Sequence, residues 1–214
     1  MSIWKSFVLT AMFLLLPIEI VKAQDNWGLA VPTDSLRALK QKSDVPDVNK
    51  ALGEISEDWS FIEYSFGKVG SPTDKYKEIM NYNRKLLDEA AVQTNAGYAK
   101  IVYDVKDDLA VKAGYIRAVP TASAIAYSEV SVVVKTMRNQ QEVHGYFIGF
   151  SPKYLSGQDP IYRFNNPTSP SEGSLPPGRY EMVAILNGKV IERQEVNIGL
   201  KGAQDQSITC LITQ

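Results

Sequence analysis

Bond-breaking chemistry needs a reactive side chain, a base beside it and a group that orients the base. This chain of 214 residues offers one histidine and one cysteine toward such a set. His144 stands just before the run Gly145-Tyr-Phe-Ile-Gly-Phe150, at a turn-to-strand edge, and reads as a solvated or hydrogen-bonded structural residue. Gly149-Phe-Ser-Pro-Lys153 has the serine of a nucleophile elbow but lacks its second glycine and the helix that must follow. Ser65-Phe-Gly-Lys68 satisfies a Ser-x-x-Lys pattern without its two partner motifs. Transition metals require several His or Cys ligands, so no metal ligand is assigned. Calcium needs only oxygens. The acidic groups Asp104, Asp107 and Asp108, and the pair Asp44 and Asp47, lack the spacing and glycine of a calcium loop and read as solvated turn carboxylates. A glycosidase needs two facing carboxylates, and nothing in the sequence singles out a pair. No glycine-rich phosphate loop precedes a helix. The expectation is a chain with no catalytic residues and no cofactor, not an enzyme.

Binding chemistry is better represented. The segment from Ser151 to Pro177 is long, ends in a Pro- and Ser-rich stretch, and contains Tyr154, Tyr162, Arg163, Phe164 and Asn165. Long loops on a rigid scaffold often carry recognition. Aromatic rings beside Asn and Arg suit stacking on sugars or anchoring a protein partner. These five residues are the candidate binding set. Against this, Tyr162 and Phe164 have the alternation of a strand that turns into the core. Phe61 and Tyr64 fall partly off a helical stripe and are candidates for an interface.

The elements that must position these residues divide the chain near residue 97. Thr33 or Asp34 caps a short helix running to Ser43. From Pro46, the residues Val48, Leu52, Ile55, Trp59, Ile62 and Phe66 recur at steps of three and four, which places them on one helix face. Gly67 and Gly70 end that helix, and Ser71-Pro-Thr-Asp74 starts another, with Tyr76, Ile79, Met80, Leu86, Leu87 and Ala90 along it. Gly97 is expected to end this second helix. Two such helices form an antiparallel hairpin whose stripes require a further layer. The strand-like segments expected to supply it are 98–105, 127–137, 145–150, 161–164, 180–186, 190–198 and 208–212, with one more within 107–118. Asn187-Gly188 is the strongest hairpin signal, because both residues accept the positive φ of a type I′ turn.

Residues 1–23 have another character. Lys5 precedes the apolar run 7–16, Pro17 breaks it, and Val21-Lys-Ala23 puts small residues at the positions read by a signal peptidase. The run is too short to span a bilayer. An exported protein, periplasmic or extracellular, is expected, with no transmembrane segment in the mature chain. Removing Lys5, Lys22 and Glu19 leaves 21 basic and 23 acidic side chains, a net charge of −2. That gives no field for nucleic acid. The single Cys210 excludes an internal disulfide and reads as a buried residue of the last strand.

Leu175-Pro-Pro-Gly-Arg-Tyr-Glu-Met-Val-Ala184, followed by the run to Ile198, resembles the closing hairpin of bacterial extracellular Ig-like and transthyretin-like modules. The resemblance covers about 25 residues. It implies a β-sandwich with adhesive, scaffolding or accessory roles. The Asp-Gly-X-Pro-Leu turn of transthyretin-like modules is not found. The expected architecture is α+β: a signal peptide over 1–23, a helical hairpin over 24–97 and an Ig-like antiparallel β-sandwich over 98–214. The expected function is a non-enzymatic binding or scaffolding protein of a bacterial envelope or secretome, with a protein partner and no nucleic acid. The alternatives are a carbohydrate-binding accessory module and a small exported hydrolase.

Overall fold

The computed structural model describes residues 29–119 and 129–213. The expected export leader and the start of the strand expected from Tyr127 lie outside the described residues.

The helical half begins as the stripes dictate. Helix α1 spans Thr33–Lys42, α2 spans Pro46–Val69 and α3 spans Asp74–Val92. Pro46 opens α2, where its missing N–H costs nothing. Thr73 caps α3 by accepting a hydrogen bond from the Tyr76 amide at 3.3 Å. The α2 residues Val48, Leu52, Ile55, Trp59, Ile62 and Phe66 are all buried.

The next element corrects the sequence reading. Residues 98–105, expected as a strand, and 107–118, expected to hold another, form one helix, α4, from Tyr98 to Ala118. Helix α3 ends at Val92, and Gly97 stands at the start of α4. The buried positions Val102, Val105, Leu109, Ala113 and Ile116 keep helical spacing. Asp108 and Lys112 occupy the same stripe and hide it. The helical part is therefore four helices rather than a hairpin, and the change from helix to strand falls after Ala118 rather than near residue 97.

Eight strands follow among the described residues: β1 (Val130–Arg138), β2 (Gln141–Val143), β3 (Phe147–Pro152), β4 (Tyr162–Arg163), β5 (Ser171–Leu175), β6 (Gly178–Leu186), β7 (Lys189–Ile198) and β8 (Asp205–Leu211). In the first sheet, β2 and β5 pair antiparallel with successive parts of β1, and β8 runs parallel along β1 from Ser131 to Met137. The sheets are thus antiparallel as expected, apart from the parallel pairing of β8 on β1. The second sheet has the order β4-β3-β6-β7 and is antiparallel throughout. Asn187 and Gly188 both take positive φ, 53° and 75°, and close the β6–β7 hairpin as expected. The two open sheets fit a sandwich-like fold.

A continuous hydrophobic core joins all layers. Trp59, Phe66 and Ile79 of the helices, Val132 and Val134 of the first sheet, and Phe150 and Met182 of the second belong to one cluster. Helix α4 packs on β6, whose residues from Tyr180 to Ile185 are all buried, so this central strand is covered on both faces. The Tyr180 hydroxyl donates to the Pro176 carbonyl at 2.8 Å and pins the turn into β6. Among the described residues, no helix is long and apolar enough to cross a membrane.

Candidate binding groove

Thr73 and the start of α3 line two clefts with β4 and β5, and a third cleft opens on α3 beside them. The central cleft, about 440 Å³, is lined by Lys75 of α3, by Tyr162, Arg163 and Asn165, and by Glu172 and Ser174 of β5. It shares Gly173 and Ser174 with a cleft of about 530 Å³ that reaches Glu129, Gln204 and Asp205. On its other side the Tyr162 hydroxyl donates to Glu78 Oε2 at 3.1 Å. Glu78 in turn lines a third cleft of about 360 Å³ with Asn81, Tyr82 and Lys85. The first two are continuous through Gly173 and Ser174, and the Tyr162–Glu78 hydrogen bond separates them from the third.

The floor is rigid. Phe164 is buried, its ring lies 5.0 Å from that of Phe150, and it packs directly on the β5 backbone. A Cβ on Gly173 would stand 2.4 Å from the Phe164 ring, so only glycine fits there. One wall is held by Lys75, whose ammonium contacts Glu129 Oε2 at 3.2 Å and the Ser174 carbonyl at 3.0 Å. The Ser174 hydroxyl donates to the same Glu129 oxygen. Burial, then the Glu78 carboxylate, raises the pKa of the Tyr162 phenol, so the bridge stays protonated at neutral pH. By contrast, Arg163, Asn165 and Glu172 are exposed and have no hydrogen-bond or ion-pair partner among the described residues.

Behind the groove lies a buried polar knot that the sequence reading missed. Asp108 Oδ2 accepts hydrogen bonds from Lys112 Nζ at 2.5 Å and Asn83 Nδ2 at 2.7 Å, and its Oδ1 accepts from the Arg179 amide at 3.2 Å. One carboxylate thus ties α3, α4 and β6 together. Lys112 is fully buried and Asp108 nearly so. Burial lowers the pKa of Lys112, and Asp108 opposes that shift. Gly178 makes room for the pair: a Cβ there would stand 2.7 Å from Asp108 Oδ1 and 2.8 Å from Lys112 Nζ. Tyr154 links knot and groove. Its ring packs 6.5 Å from that of Tyr82, its hydroxyl is buried without a partner, and burial, with Asp108 next, raises its pKa.

The structure brings Tyr162, Arg163 and Asn165 to one cleft and places Phe164 beneath them in the core, while Tyr154 sits behind the groove. Asp104, Asp107 and Asp108, expected as turn carboxylates between strands, lie on α4 and are each paired with a cation: Lys100, Arg179 and Lys112. Among the described residues, no three His, Cys, Asp or Glu side chains gather to hold a metal ion. His144 is exposed, 3.8 Å from Glu142. Cys210 is buried in β8, and burial pushes its thiol up to about 11. Lys75, Glu78 and Tyr82 of α3 and Glu172 of β5 were not legible as site residues, because they look like ordinary surface positions of two elements far apart in the sequence. No protein-family model matches this chain, and no match to it was found among curated proteins.

Proposed function

We propose that this chain is an exported binding or scaffolding protein of a bacterial envelope or secretome, built on an Ig-like sandwich and recognising its partner through the groove between α3 and β4–β5. The observation that carries this reading is the trio Arg163, Asn165 and Glu172: exposed hydrogen-bonding side chains over a closely packed floor, with no side-chain partner among the described residues. The signal-like pattern of residues 1–23 supports export, and the Tyr180–Pro176 corner supports the Ig-like reading. A photo-reactive residue at position 165 should cross-link a partner in envelope extracts, whereas the same residue at position 92, an exposed valine at the end of α3, should not. Equal labelling from both positions, or none from 165, overturns the reading. For export, N-terminal sequencing of the secreted form should begin at Gln24.

The hydrolase alternative has one supporting observation: Glu129 and Asp205 line the same cleft. Glu129 is already engaged by Lys75 and Ser174. Glycoside hydrolysis lost in Asp205→Asn would favour that reading.

A further inference from the structure

Resting on the groove as the binding site, we propose that its ligand is an extended, uncharged glycan chain lying across the Tyr162–Glu78 bridge. Four observations lead there. Two concavities of about 440 and 530 Å³ are continuous through Gly173–Ser174, and a third of about 360 Å³ lies on α3 beyond the Tyr162–Glu78 bridge, a layout that suits a chain of linked units better than one small molecule. The groups free to bind are a guanidinium, a carboxamide and a carboxylate. Each is a planar fork that engages two neighbouring hydroxyls at once, as donor, as both, and as acceptor respectively. Lysines and an arginine alternate along the groove with carboxylates, so no net field selects a nucleic acid or an acidic peptide. Protein partners are anchored by aromatic or arginine side chains in desolvated pockets. All three clefts are instead open and edged by polar side chains: Arg163 is exposed, the Tyr162 hydroxyl is engaged by Glu78, and Phe164 is sealed under Gly173. The half-buried ring of Tyr82 in the third cleft, with Lys85 Nζ 5.8 Å from its centroid, adds a flat face for a sugar ring.

The test uses the mature chain from Gln24 and four neutral probes, cellohexaose, chitohexaose, xylohexaose and mannohexaose, titrated by calorimetry. At least one should bind with a dissociation constant of about 1 mM or tighter, and its disaccharide at least tenfold more weakly. Arg163→Ala with Glu172→Ala should weaken the hexasaccharide at least tenfold while leaving the thermal midpoint unchanged, since neither side chain has a partner among the described residues. Val92→Ser should bind as the parent does. Failure of all four probes, or binding that survives the double substitution, overturns the glycan assignment. If position 165 then still cross-links a protein in a manner dependent on Arg163 and Glu172, the groove stands and only its ligand class falls. If it does not, both fall.

Discussion

The side chain that most repays attention is Lys112. A lysine with no exposed surface is held by one carboxylate, which also serves an amide from α3 and the backbone of β6. Such a pair is costly to desolvate and costlier to break, because a lone buried charge is left behind. Lys112→Met should lower the unfolding free energy by about 3 kcal/mol in urea denaturation. Adding Asp108→Asn should recover part of that loss, and simple additivity of the two single effects would show that the pair does not act as a unit. Gly178→Ala tests the same contact sterically. Its methyl has no free space beside Asp108 and Lys112, and a loss of about 1–3 kcal/mol is expected.

At the level of elements, the sequence was most legible where one periodicity ran without interruption. The α2 stripe, the Thr73 start and the Asn187-Gly188 turn were each readable because one local rule decides them. Thr73→Ala should accordingly cost about 1 kcal/mol. Helix α4 was not readable. Its Tyr, Ile and Val content imitates a strand, and two of its core-facing positions carry charges whose burial only the opposite layer explains. Strand β5, Ser171–Leu175, was hidden for the converse reason. Ser, Glu and Gly have poor strand propensity, and β5 exists because β1 supplies its hydrogen bonds and Phe164 fills the space over Gly173. The groove has one wall on α3, which the sequence reading placed, and the other on β5, which the segment after Ser151 concealed.

Across the whole molecule, buried phenols set the alkaline limit. Tyr76 and Tyr180 have pKa values raised above the free-tyrosine value, first by burial and then by Asp108. The unfolded chain therefore ionises them first, from about pH 10, and stability falls as pH rises beyond that point. Lys112 works in the opposite sense. Its folded pKa is lowered, so between that value and about pH 10 the unfolded chain holds the extra proton and stability rises with pH. Several phenols against one amine make the net slope negative above pH 10. The Tyr76 hydroxyl is buried without a partner. Tyr76→Phe should leave neutral-pH stability nearly unchanged and flatten the alkaline decline of the melting midpoint. An unaltered decline would remove Tyr76 from the account.

The parallel partnership of β1 and β8 has a further consequence for how the molecule is assembled. Every other pairing in the two sheets joins strands that emerge from the ribosome within a few dozen residues of each other, while β8 is made after all the rest. Until it arrives, one border of β1 is an open row of amides and carbonyls, with Val132 and Val134 short of their cover. The nascent protein thus carries a sticky seam from the completion of β1 at Arg138 until β8 begins at Asp205. It is sealed by β8, the last of the described strands.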